Sequence, residues 1–176
     1  MAGRRALLAL AVGLALPLPG CGWEPLYADP QSAPTSADLR AVEVTPIADR
    51  IGQRLEMALR NSLNPTGEPT KFLYALHTTL TVSLSALGLQ SQGTATLGRI
   101  DVFASLILVD NRNGSTLLTN SAHVQNSFAL NPNQYSTVVA EDDARVRSVA
   151  ELNQEIMTRL TLFMEHRAAQ SAPKTS

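Results

Sequence analysis

Three stretches in which apolar and hydroxyl residues alternate constrain this chain more than any other feature. In residues 71–85, Phe72, Tyr74, Leu76, Leu80, Val82 and Leu84 take even positions, while Lys71, His77, Thr79, Thr81, Ser83 and Ser85 take odd ones. Successive strand side chains point to opposite faces, so this run predicts a half-buried strand about twice the usual five or six residues. A second strand is predicted over residues 94–109, with Ile100, Val102, Ala104, Leu106 and Leu108 directed at the core. Its odd face begins polar at Arg99 and Asp101, then turns apolar at Phe103, Ile107 and Val109. Asn113-Gly114 follows within a polar turn, and Asn-Gly readily supplies the positive φ that a tight hairpin needs. A third strand returns over residues 116–128, with Leu118, Ala122, Val124 and Phe128 on one face.

Helical spacing flanks these strands. A short first strand is expected within residues 39–45, from Leu39, Val42 and Val44. Thr45-Pro46 has the order of an N-cap followed by proline at the first helical position. Behind it Ile51, Leu55, Ala58, Leu59 and Leu63 share one helical face, and Asn64-Pro65-Thr66-Gly67 ends the helix. After the strands, Asn131-Pro132-Asn133 breaks the sheet and residues 134–140 are expected as an irregular loop. Glu141-Asp142-Asp143 is expected to open the last helix at the positive end of its macrodipole. Val149, Leu152, Ile156, Leu160 and Phe163 form that helix's apolar stripe, and His166 and Arg167 suit its C-terminal end. The order β-α-β-β-β-α predicts an α+β domain over residues 39–167, a two-layer sandwich with two helices on one face of a four-stranded, mostly antiparallel sheet. Residues 168–176 are expected as a disordered tail.

The N-terminus carries an address. Arg4 and Arg5 precede an apolar run from Ala6 to Leu18, and Pro19-Gly20 leads to Cys21, the chain's one cysteine. A basic start, a short apolar run and a small residue before a cut form the plan of a secretory signal. The run falls short of the roughly 20 apolar residues of a transmembrane helix. Ending on cysteine, it resembles a bacterial lipoprotein signal, which implies cleavage between Gly20 and Cys21 and acylation of Cys21. Pro19 departs from the Ala, Ser, Thr or Val usual at that place. Residues 1–20 are therefore expected as signal peptide and 21–38, with prolines at 25, 30 and 34, as the lipidated cysteine and an extended tether. Trp23 and Tyr27 either meet the membrane interface or a partner, or cap the domain core. Loss of Arg4 and Arg5 with the signal leaves 12 of the 14 basic residues against 15 acidic ones, without the basic stripe of a nucleic-acid binder.

Catalytic chemistry is not suggested. His77, His123 and His166 lack metal-ligand spacing, and no second cysteine supports them. No glycine-rich phosphate loop or nucleophile elbow is present, so neither cofactor nor metal is expected and the chain reads as a non-enzyme. The mixed odd face of the second strand is the remaining feature. Phe103, Ile107 and Val109 form an apolar strip on the side of the sheet away from the helices. Either a loop covers it, or it docks onto a protein or lipid.

Two segments carry a family resemblance. Cys21-Gly22-Trp23-Glu24-Pro25-Leu26-Tyr27 resembles the Cys-Gly-aromatic-x-Pro-Leu-Tyr start of the lipopolysaccharide-assembly lipoprotein LptE in its alphaproteobacterial form. Residues 135–145, Tyr-Ser-Thr-Val-Val-Ala-Glu-Asp-Asp-Ala-Arg, resemble the segment before that family's last helix. The resemblance implies a lipid-anchored protein on the periplasmic side of the outer membrane, plugging the LptD β-barrel and contacting lipopolysaccharide as the pair inserts it in the outer leaflet. Arg99 and Arg112 are the candidate cations for lipopolysaccharide phosphates, the plainer reading being solvated surface arginines. The other functional reading is a periplasmic lipid-transport accessory or binding lipoprotein with no barrel partner.

Overall fold

Alternation over so many residues produces strands that outrun the helices packed on them, and this mismatch shapes the domain. The computed structural model describes residues 34–89 and 95–171. In chain order these form α1 (Pro34–Arg40), β1 (Val42–Val44), α2 (Asp49–Leu63), β2 (Tyr74–Leu89), β3 (Ala95–Asp110), β4 (Thr116–Ala129) and α3 (Gln134–Ser171). The strands make one sheet in the order β1-β2-β3-β4. β1 runs parallel to β2, joined through α2, and the other two pairings are antiparallel. The sheet is thus mixed, in an α+β domain with helices on one face, and α1 joins the two helices that were expected.

The core lies where the two periodicities meet. Ile100, Val102, Ala104, Leu106 and Leu108 of β3 are buried, as are Ile51, Leu55, Leu59 and Leu63 of α2. α3 contributes Ala144, Val149, Leu152, Ile156, Leu160 and Met164. Met164 occupies the deep position expected for Phe163, which is half-buried beside the core. Burying a side chain of this size stabilises the fold by about 1.5–3 kcal/mol. The odd residues of β3 point away from the helices, since strand side chains alternate.

Several boundaries differ from the sequence expectation, each for a local reason. Leu39 belongs to α1, so the first strand is only Val42–Val44, and residues 34–38 of the expected tether are helical. Thr45 does not cap α2. Its N–H and its hydroxyl both donate to the Leu76 carbonyl, at 3.1 and 3.0 Å, which extends the β1 ladder by one residue. Pro46 then has no N–H to continue it. The Ile47 N–H turns instead to Glu56 Oε2 at 3.1 Å, and α2 begins at Asp49 with φ 67°.

Residues 134–140 are helix, not loop. Asn133 Oδ1 accepts the Tyr135 N–H at 3.0 Å, an N-cap eight residues ahead of Glu141. The carboxylates of residues 141–143 therefore do not complement a helix start. Glu141 pairs with Arg145 and Asp143 with Arg147, one turn on, while Asp142 reaches across to Arg54 of α2 at 3.0 Å. Residues 168–171 of the expected tail continue α3, and 172–176 lie outside the described residues. The same holds for residues 1–33, and with them for Gly20, Cys21, Trp23 and Tyr27.

The even face of β2 is covered only at its start. Tyr74 and Leu76 are buried, Leu80 and Val82 are half-buried, and Leu84 is 49% exposed. β1 is too short to carry α2 along β2, and the helices pack chiefly over β1, β3 and β4.

A candidate docking face on the open side of the sheet

Cross-strand register assembles the open face from the odd residues of three strands. Ile107 lies between His77 and Thr119, Ser105 between Thr79 and Ser121, and Phe103 between Thr81 and His123. Farther along, Asp101 lies between Ser83 and Gln125, and Arg99 between Ser85 and Ser127. Hydroxyl side chains therefore dominate, with apolar residues set singly among them. Phe103 is 45% exposed and Ile107 39%, so no described loop covers them, while Val109 is half-buried. The strip is not continuous: Ser105 and its hydroxyl neighbours separate Phe103 from Ile107. Such a face presents hydrogen-bonding groups and two apolar contact points, and carries few charges.

Its charged residues cancel locally. Arg99 Nε donates to Asp101 Oδ2 at 2.9 Å, and His123 Nε2 stands 3.5 Å from Asp101 Oδ1. The Phe103 and His123 rings are tilted against one another with centroids 6.5 Å apart. His77 is exposed, its Nδ1 3.4 Å from the Thr45 hydroxyl oxygen. Among the described residues no group of His, Cys, Asp and Glu could hold a metal ion, and no helix is long and apolar enough to cross a membrane.

Arg99 and Arg112 are not brought together. Arg112 belongs to the β3–β4 turn, two residues past the end of β3, and Arg99 lies eleven residues before that end, so roughly 35 Å of strand separates them. Arg112 grips Asp110 with three donors: its backbone N–H and Nε to Oδ1, each at 2.9 Å, and Nη2 to Oδ2 at 2.6 Å. Arg167 of α3 approaches the same carboxylate at 3.8 Å and lies over the Tyr74 ring, 5.5 Å from its centroid. Hydrogen bonds from Arg112, followed by the charges of Arg112 and Arg167, hold the Asp110 carboxyl down at about 2. This cluster, in which Asp110 is buried and the Arg112 side chain is exposed, ties the hairpin turn to β2 and the end of α3. Sequence reasoning took Asp110 only as a turn residue. The Asp-x-Arg spacing across the turn was the available sign.

A crevice beside β1, lined by Val44, Arg60, Asn64 and Phe72, has a volume of about 50 Å³. That is room for a water or two and not for an acyl chain.

Comparison with known proteins agrees with this architecture. No curated protein matches the chain significantly. Among solved structures, a lipoprotein from Caulobacter crescentus superposes with a TM-score of 0.62 at 20% identity, covering 77% of this chain and 98% of that one. A minor lipoprotein from Acinetobacter baumannii gives 0.55 at 14% identity, covering 70% of this chain and 92% of that one. At these identities the likeness is one of fold. The family model for lipopolysaccharide assembly, LptE, matches residues 39–160, from the end of α1 through the buried stripe of α3. The chain belongs to the LptE family and has its role in lipopolysaccharide assembly.

Proposed function

We propose that this protein is the lipoprotein partner of an LptD-like outer-membrane β-barrel, anchored through Cys21 on the periplasmic side of the outer membrane. In this reading the two form the lipopolysaccharide translocon. The domain seats within the barrel, assists its assembly and contacts lipopolysaccharide as it passes to the outer leaflet. The role is non-catalytic. The observation that carries the reading is the open sheet face, on which Phe103 and Ile107 stand exposed among hydroxyl side chains. The lumen of a large barrel is polar, and a hydroxyl-rich face with sparse apolar points suits it better than a continuous apolar patch would.

Contact with lipopolysaccharide phosphates is assigned to Arg99 and Arg112. A guanidinium has five N–H donors. Asp101 takes the Arg99 Nε–H, and Asp110 takes the Nε–H and one Nη2–H of Arg112, so each retains outward donors for a phosphate.

Pull-down of the tagged protein from solubilised outer membranes, with identification of what accompanies it, tests the partnership. A large β-barrel should co-purify, and Ile107→Asp should remove most of it. Recovery of the protein without any barrel would leave the free-standing lipid-transport reading in its place.

A further inference from the structure

We propose that the outer edge of β2 takes an extended, uncharged loop segment of the barrel partner as an added strand, so that main-chain pairing supplements the contacts of the open face. The inference deepens the reading of the domain as a subunit seated within a barrel, and rests on it. The ladder to β1 stops early. The Thr45 N–H donates to the Leu76 carbonyl, Pro46 has no N–H to follow it, and Glu56 holds the Ile47 N–H. Leu76 directs its carbonyl to that side, and strand alternation turns both backbone groups of Leu80, Val82, Leu84 and Ala86 the same way. Among the described residues no strand pairs with these groups and no loop backbone bonds them. Thr78, only 7% exposed, has a hydroxyl without a hydrogen-bond partner at the point where β1 leaves off.

The two edges of the sheet are finished differently. Along β4, side chains meet outward backbone groups: Asn120 Oδ1 accepts the Ser121 N–H at 2.8 Å, and the Ser127 carbonyl accepts from Arg147 Nη2 at 3.2 Å. Proteins usually protect an exposed edge with charge, proline or a bulge. The β2 edge has none of these. Residues 78–98 include no charged side chain, no proline falls in β2, and its register with β3 is unbroken from Tyr74 to Leu87. Backbone donors and acceptors recur along this edge every two residues, roughly 6.8 Å, a repeat that an extended polypeptide matches and an acyl chain or a sugar does not. The wall strands of a closed barrel are already paired with one another, so the added strand comes from a loop entering the lumen. Main-chain bonds supply the affinity in such pairing, and alternate side chains supply the preference. Leu84, 49% exposed, favours an apolar neighbour on one side, and Thr81, Ser83 and Ser85 favour small polar ones on the other. A charged side chain on the segment would find no counter-ion on β2 itself.

Outer membranes carrying the tagged protein supply the test. With a benzophenone amino acid in place of Leu84, irradiation should cross-link the protein to the barrel, and mass spectrometry of the adduct should place the bond in a loop. Val82→Pro deletes an N–H directed at the edge and leaves the bonds to β3 intact, so barrel recovery should fall roughly ten-fold. Leu84→Lys, at an exposed position, should lower recovery in the same direction with an unchanged melting curve, whether or not the proline variant folds. Full barrel recovery with Leu84→Lys and with a folded Val82→Pro would overturn the proposal. So would a position-84 probe that gives no adduct, or one with a wall strand, with lipopolysaccharide or with residues 22–33 of the chain itself. Absence of any barrel from the wild-type preparation overturns the proposed function as well, whereas a barrel retained through Ile107 while the β2 edge stays unpaired overturns this inference alone.

Discussion

At the scale of single residues, two positions carry more than their size suggests. Gly98 in β3 pairs with Phe128, whose ring lies over it: a Cβ there would fall 2.4 Å from Phe128 Cζ and 2.7 Å from Cε2. Phe128 is buried, so it has little room to yield. Gly98→Ala should therefore destabilise by about 1–3 kcal/mol, the usual cost of overpacking, seen as a lower urea midpoint at unchanged slope. Nothing in the sequence marks this glycine, because the contact depends on the register between β3 and β4. Asp110 makes a prediction in pH. Its carboxyl ionises at about 2 in the folded protein, below the ordinary 3.8. A depressed carboxylate stabilises the fold above the unfolded value, and that contribution disappears as the pH falls through about 2. Thermal melts of wild type and Asp110→Asn should thus differ at neutral pH and converge towards pH 2. Asp110 was visible in the sequence as a turn former, but Arg167, which completes the cluster, is 57 residues away and only packing brings it near.

At the scale of elements, α3 is the clearest case of a helix read correctly in type and wrongly in extent. Its stripe from Val149 to Leu160 has helical spacing, and burial confirms it. Its first two turns carry Thr137, Val138 and Val139, β-branched residues of modest helix propensity, which is why residues 134–140 read as loop. They are helical because Asn133 caps the first turn and a long helix propagates more easily than it starts. Tyr135, Val138 and Val139 are exposed, so core burial does not hold this end. Asn133→Ala should cost about 1 kcal/mol of local stability, read as faster amide exchange at residues 135–140 while the buried stripe keeps its protection. β1 shows the opposite balance. It is three residues long because Pro46 ends its ladder, and that brevity leaves most of the β2 edge without a strand neighbour among the described residues.

For the whole molecule, one sheet separates two tasks. Core residues of β3 and the helices hold the fold, and the odd residues on the other side form the face proposed for a partner. Ile107→Asp should accordingly leave the melting temperature of the domain nearly unchanged, within about 0.5 kcal/mol, while barrel co-purification falls. A large loss of stability would instead make Ile107 part of the packing. The amino-acid sequence by itself determined the long strands, the hairpin at Asn113-Gly114, the apolar faces of α2 and α3, and the α+β class, because each follows from side-chain period within one element. It also carried the family resemblance in residues 135–145. Tertiary structure alone decided where α2 begins, since Leu76 on another strand claims the Thr45 hydroxyl. It decided that Arg99 and Arg112 meet carboxylates and stand far apart, and that β2 runs beyond the helices meant to cover it. These outcomes depend on which distant groups compete for the same donor or the same space, and local period holds no record of that competition.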